Sequence, residues 1–340
     1  MVIKKKLMKK ILNIGLIGCG VVGQKRIENL PKNFKFVACA DPKIISIHKN
    51  FSTKNVHITS RWEELIDLDY LDAIIIATTH HLYSKILEKC IKKNLHVFLE
   101  KPAGIFANKT KKIISLMNKK KFLAIRVGFN HRYHPAFLLA KKIVKSNKIG
   151  KLMYIRAVYG HGGRINYNKE WRFKKKLSGG GELIDKGSHL IDLSRLFLGQ
   201  LKVDKFKLTT NFWKMKLEDN CFLILKNKKN NIAFLHASCT EWKNKFIFEI
   251  FGKTGKIEIN GLGRSYGQEN LLHYKMSKKM GPPKKIIYNF KDKKDNSWKL
   301  ELEDFYKDIQ NKKKSIPGII DAYENLKIIN HIYKYNNVNN

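Results

Sequence analysis

The sequence predicts a doubly wound parallel α/β sheet followed by an α+β unit with a large, open, mostly antiparallel sheet. Three observations carry this reading. An apolar run ends in Gly18-x-Gly20-x-x-Gly23, and a helical pattern follows it. Near-continuous apolar runs then alternate with helical segments, as in a parallel sheet covered on both faces. Beyond about residue 150 the pattern turns to alternation of apolar and polar residues with short turns, as in an antiparallel sheet. A chain of 340 residues can bury two cores, and the boundary is placed between residues 1–130 and 131–340.

In order, 11–17 reads as a strand, 21–30 as a helix and 36–40 as a strand. A short helix over 61–66, a buried strand over 73–77 (Ala-Ile-Ile-Ile-Ala) and a helix over 82–93 come next. A strand over 96–99, a helix over 109–118 and a strand over 123–127 complete the first unit. In the second unit, strands are expected over 152–159, 206–213, 221–226, 232–238, 246–251 and 256–259. The segments 227–231 and 252–255 read as hairpin turns. One helix over 182–198 stops at Gly199. A late helix carries Leu302, Phe305, Tyr306 and Ile309 at helical spacing, and Pro317 precedes a last one. Residues 269–295, polar and lysine-rich, read as a loop with some strand.

The formal charge is +40, from 68 basic and 28 acidic residues. Only nine of the basic residues are Arg, and the lysines are spread along the whole chain. That spread argues for solvated surface and against nucleic acid, whose footprint clusters on one face. Five cysteines (Cys19, Cys39, Cys90, Cys221, Cys239) form no CxxC and no zinc spacing, so no metal site and a reducing, cytoplasmic setting are expected. No run of about 18 apolar residues exists, and the basic segment 1–10 reads as a lead-in to the first strand, so no membrane span is expected.

The glycine motif proposes a ligand. Gly18 permits the tight turn out of the strand, Gly20 lets the backbone approach a pyrophosphate, and Gly23 lets the helix pack closely. Cys19, Val21 and Val22 complete the loop at the helix N-terminus, where free N–H groups favour negative charge. The strand 36–40 ends in Asp41, at the distance from the glycines where an acid bonds the ribose hydroxyls. That acid repels a 2′-phosphate and favours NAD over NADP, with Lys43 as a partial offset. Thr78 and Glu100, at strand ends, join the expected cofactor set.

Two constellations carry candidate chemistry. Lys101, in Glu100-Lys101-Pro102, leaves a buried strand at the sheet edge that holds the cofactor, whereas most lysines in such a chain are solvated surface. Asp185, His189 and Asp192 follow Gly179-Gly180-Gly181 and share one helix face. Such a His is often a paired core residue; the functional reading is a general base tuned by a carboxylate, with Asp192 orienting the ring and Asp185 bonding a substrate hydroxyl.

The order of these motifs, with Gly128-Phe-Asn-His-Arg-Tyr-His-Pro135 between them, resembles the Gfo/Idh/MocA family of NAD(P)-dependent sugar and polyol oxidoreductases. The resemblance covers nearly the whole chain. It implies a Rossmann domain, a cis bond before Pro102, catalytic roles for Lys101, Asp185 and His189, and homodimers or homotetramers built through the open sheet. Two departures stand out: Tyr83 stands where the family often has a His, and Lys186 lies between the Asp and the His.

Arg positions in a chain that otherwise uses Lys point to a need for a planar, bidentate fork. Arg132, Arg164 and Arg172, with Trp171, are therefore expected at the substrate, a sugar or nucleotide sugar bearing phosphate or carboxylate, and otherwise serve structural pairs. The loop 261–267, with Arg264 and Tyr266, is a further pocket candidate or a plain turn, and His131, His134 and His161 are contacts or packing. The reading is an NAD-dependent oxidoreductase acting on a sugar or nucleotide sugar, in surface-glycan or sugar metabolism. A glycosidase working by transient oxidation and a non-catalytic NAD-sensing regulator are the alternatives.

Overall fold

In the computed structural model the described residues are 10–43, 51, 54–120, 122–277, 279, 281–290 and 295–336. The lysine-rich lead-in before residue 10 and parts of 269–295 lie outside them. Six parallel strands form the first sheet: β1 (Leu12–Ile17), β2 (Phe34–Ala40), β3 (His57–Thr59), β4 (Ala73–Ile76), β5 (His96–Glu100) and β6 (Ile125–Gly128), in the order β3-β2-β1-β4-β5-β6. Every residue of β4 is buried, as continuous apolar runs between two helical layers require. The order reverses between β1 and β4, so a cleft opens at their carboxyl ends, beside the glycine turn.

The second sheet has eight strands: β7 (Leu152–Gly160), β8 (Lys202–Thr209), β9 (Asn220–Lys226), β10 (Ile232–Ser238), β11 (Lys245–Gly252), β12 (Gly255–Asn260), β13 (Asn270–Lys275) and β14 (Lys284–Asn289). All its pairs are antiparallel except β7 with β10. Ile155, Ala157 and Tyr159 alternate onto the inner face of β7, where helices Pro135–Lys145, Ser188–Leu198 and Ile319–Asn336 cover the sheet. Residues 269–295 contain β13 and β14, with the other described residues of the segment outside strands.

Three expectations are corrected. The strand expected to reach Trp213 ends at Thr209, because the Asp219 carboxylate accepts the backbone N–H groups of Asn211, Phe212 and Trp213 and turns the chain. The helix expected from residue 182 opens as a wide π turn, Leu183–Gly187, before helix Ser188–Leu198. The late helix, Ser297–Asn311, does not join the second core. Its Leu302, Phe305, Tyr306 and Ile309 pack with Leu12, Ile14 and Phe34 of the first sheet, so the 131–340 segment contributes to both cores.

A buried cation ties that returning helix to the first sheet. The Arg26 guanidinium lies 4.3 Å from the ring centres of both Phe98 and Trp298. Its Nε donates to Glu100 at 2.5 Å and its Nη1 to Glu301 at 2.9 Å. One cation facing two buried carboxylates leaves a negative charge over. Burial accordingly pushes the Glu301 carboxyl up to about 7, against the pull of Arg26. In the unfolded chain this group ionises near 4.5, so the fold holds a proton that the unfolded chain has lost, and its contribution to stability declines as pH rises from about 4.5 to 7. Glu301→Gln is expected to remove that decline. Urea unfolding across the window reads it directly, and equal slopes in both proteins would contradict it.

Candidate active site

The glycine turn fits a dinucleotide by what side chains would do there. Gly18 has φ of +95°, and a Cβ on it would lie 2.6 Å from the Ala77 carbonyl oxygen. A Cβ on Gly23 would lie 2.1 Å from the Gly18 carbonyl oxygen, so helix Val21–Glu28 closes on the turn only without one. A Cβ on Gly20 meets nothing within 4 Å, which leaves open space over the turn for a ligand. Val21 is 72% exposed beside it, with Val22 half-buried. Asp41 braces the loop: its carboxylate accepts the Cys19 N–H at 2.8 Å and the Lys43 N–H at 2.9 Å. Thr78, just past β4, accepts the Tyr83 hydroxyl on its carbonyl at 3.1 Å. Glu100 faces away from this role, since its carboxylate holds buried Arg26.

Lys101 follows β5, and its bond to Pro102 is cis. Its ammonium donates to the Asp185 carboxylate and to the Asp185 backbone carbonyl, both at 2.8 Å. Around this pair lies a cavity of 330 Å³, lined by residues that include Lys101, Tyr159, His161, Arg172, Asp185 and His189. Burial pushes the Asp185 carboxyl up, but Lys101, Lys186 and Arg172 together hold it well below the usual range. Burial and then Lys101 push the His189 imidazole well below its ordinary value, so it is neutral. The His131 ring stacks on it, 3.8 Å between centres and 22° between planes. His189 Nδ1 is sealed and has no hydrogen-bond partner among the described residues, which leaves Nε2 as its working nitrogen.

Lys101, Asp185, His189, Arg164 and Arg172 are thus brought to one cavity, and Tyr266 and His161 line it too. Arg132 is not. Its guanidinium grips Asp192 through two bonds, 2.7 and 2.6 Å, and Asp321 at 3.1 Å, because a buried cation is tolerable only when paired. The same pair takes Asp192 away from the ring of His189. Trp171 lies outside the lining as well, edge-on to His80 at 5.1 Å, while His80 bonds the Ser178 carbonyl.

Sequence reasoning missed Tyr159, Tyr167 and Asn244 in the lining, while Ser265 and Tyr266 lie in the loop 261–267 that it offered as a pocket candidate. Tyr159 was within reach, since it continues the inward alternation of Ile155 and Ala157. It also missed that Lys186 is buried against Glu182 at 2.7 Å, with the Tyr167 hydroxyl on the same carboxylate at 3.1 Å. Among the described residues no cluster of His, Cys, Asp or Glu is placed to hold a metal, and no helix is long and apolar enough to cross a membrane.

Comparison with known proteins follows the same division of the chain. Residues 12–129 match the oxidoreductase family with the NAD-binding Rossmann fold, and residues 137–258 match the GFO/IDH/MocA C-terminal domain. Levoglucosan dehydrogenase of Pseudarthrobacter phenanthrenivorans is 29% identical over 214 residues, covering 58% of this chain and 54% of that protein. The chain thus matches about half the length of that relative. Inositol 2-dehydrogenase 2 of Saccharopolyspora erythraea is 22% identical over 265 residues, 73% of each. Among solved structures, levoglucosan dehydrogenase in complex with NADH and levoglucosan superposes with a TM-score of 0.86 at 22% identity, over 95% of this chain and 96% of that one, which shows a shared fold. The chain belongs to the GFO/IDH/MocA family of oxidoreductases with an NAD-binding Rossmann domain.

Proposed function

We propose that this protein is an NAD-dependent dehydrogenase that moves a hydride between a carbinol carbon of a sugar and nicotinamide. The convergence of the Lys101–Asp185 pair and neutral His189 on one cavity beside the dinucleotide cleft carries this reading. Bound NAD supplies the hydride acceptor, or in the reverse direction NADH the donor. His189 Nε2 takes the hydroxyl proton of the sugar and returns it in reduction. The Lys101 ammonium, held by Asp185, stabilises the alkoxide as its charge develops. Asp185 fixes that ammonium in place and keeps its own charge. Asp41, whose carboxylate stands at the end of β2, supports NAD over NADP.

The outer face of the second sheet exposes Tyr154, Phe222, Phe234 and Ile287, which supports a homo-oligomer formed through that face.

Purified protein with NAD and a panel of sugars and polyols, read at the reduced-nicotinamide absorbance band, tests the activity. Lys101→Ala and His189→Ala are expected to lower kcat by about 10²- to 10⁴-fold while NADH binding persists. Full turnover in both variants would remove the assigned roles. Because His189 ionises well below 6.5, the acid-side fall of kcat/KM is expected below that value rather than near it. Gly23→Ala, whose methyl meets the Gly18 carbonyl, is expected to abolish NADH binding in a fluorescence titration, and wild-type affinity in that variant would refute the cradle.

A further inference from the structure

The hydride step uses Lys101, Asp185 and His189 and leaves a set of charges around the cavity without a task. They form one network. The Asp185 carboxylate takes Lys101 at 2.8 Å, with Lys186 at 3.7 Å and Arg172 at 3.9 Å on its other oxygen. Lys186 also pairs with buried Glu182 at 2.7 Å. Glu170 is shared between Arg164 at 2.5 Å and Arg172 at 3.1 Å. Four cations therefore face three carboxylates, and one positive charge is left over in a concave site. A single carboxylate set against the guanidinium forks would balance that charge through bidentate bonds.

The excess charge has a place. Arg164 is the least committed of the four: its side chain is 61% exposed, and Glu170 is its one ion pair among the described residues. Arg164 and Arg172 both line the cavity and present planar forks suited to a carboxylate. The remaining polar lining is neutral. Burial and then Lys186 push His161 down to about 3, and Tyr159, Tyr266 and Asn244 offer uncharged hydrogen bonds for hydroxyls. The volume, 330 Å³, lies near the lower end of the roughly 300–1,000 Å³ of small-molecule sites and has room for one sugar ring.

We infer that the substrate is a monosaccharide acid, with its single carboxylate against Arg164 and Arg172 and its reacting carbinol between Lys101 and His189. This rests on the dehydrogenase reading above. A neutral sugar leaves the extra cation unmatched, and the two charges of a nucleotide diphosphate overshoot it.

The test compares matched pairs in the NAD-coupled assay: glucose with glucuronate, galactose with galacturonate, mannose with mannuronate, and UDP-glucose as a further arm. The acid of the productive pair is expected to show a kcat/KM about 10- to 100-fold above its neutral partner, the worth of a charge-assisted bond. Calorimetric binding to the NADH complex should follow the same order. Arg164→Gln should bring the acid-to-neutral ratio near one. The double variant Glu182→Gln/Lys186→Met, which removes one charge of each sign, should keep the ratio high. Equal use of neutral sugars, preference for UDP-glucose, or an undiminished ratio in Arg164→Gln would overturn the inference while leaving the dehydrogenase standing. Failure of every carbohydrate in a protein that binds NADH would bring down the dehydrogenase reading itself.

Discussion

The contact between Lys101 and Asp185 joins the two halves of the molecule at the place where chemistry is available. Lys101 leaves a strand whose last four residues, Val97 to Glu100, are buried, so its stem has little freedom. Asp185 sits on a wide turn of the second unit, and the two groups meet at 2.8 Å in a partly dry cavity. In such surroundings an ion pair is worth more than one on the surface. It anchors the carboxyl edge of the parallel sheet against the second unit. It also keeps Asp185 charged despite burial, and the nearby ammonium helps keep His189 neutral. Without the carboxylate, Lys101, Lys186 and Arg172 would repel one another within a few ångströms.

The first unit was legible because its signals are local. A parallel strand between two helical layers must be apolar throughout, and the glycine turn has few substitutes once Ala77 and Gly18 press on it. Lys101 was legible for the same reason, as a charged residue at the end of a buried strand. Asp185 and His189 stood out by their spacing after three glycines, and both line the cavity.

What escaped depends on residues far apart in the chain. Arg132 looked like a substrate fork, but its partners are Asp192 and Asp321, the second of them 189 positions away. Nothing near Arg132 in sequence announces either. Helix Ser297–Asn311 has an ordinary amphipathic pattern, which says that it buries a face and not against which sheet. Its return to the first core is set by aromatic fit, with Phe305 stacked on Phe34 at 5.8 Å, and by the Arg26–Glu301 pair. The early end of β8 likewise depends on one carboxylate, Asp219, just ahead of β9.

Lys186 shows how backbone geometry changes the meaning of a residue. On a regular helix, consecutive side chains turn by about 100°, so Asp185 and Lys186 would address different surroundings. Over Leu183–Gly187 the chain takes a π turn, whose wider ring spreads each residue over more of one side. Asp185, Lys186 and His189 then all reach the same cavity. A lysine drawn inward must be neutralised, and Glu182, one turn earlier and fully buried, does that. The wide turn thus carries a cation in the wall of the site, with its counter-charge buried behind it. Lys186 so placed sets a second ammonium 3.7 Å from the carboxylate that holds Lys101, and adds positive charge beside the reacting groups.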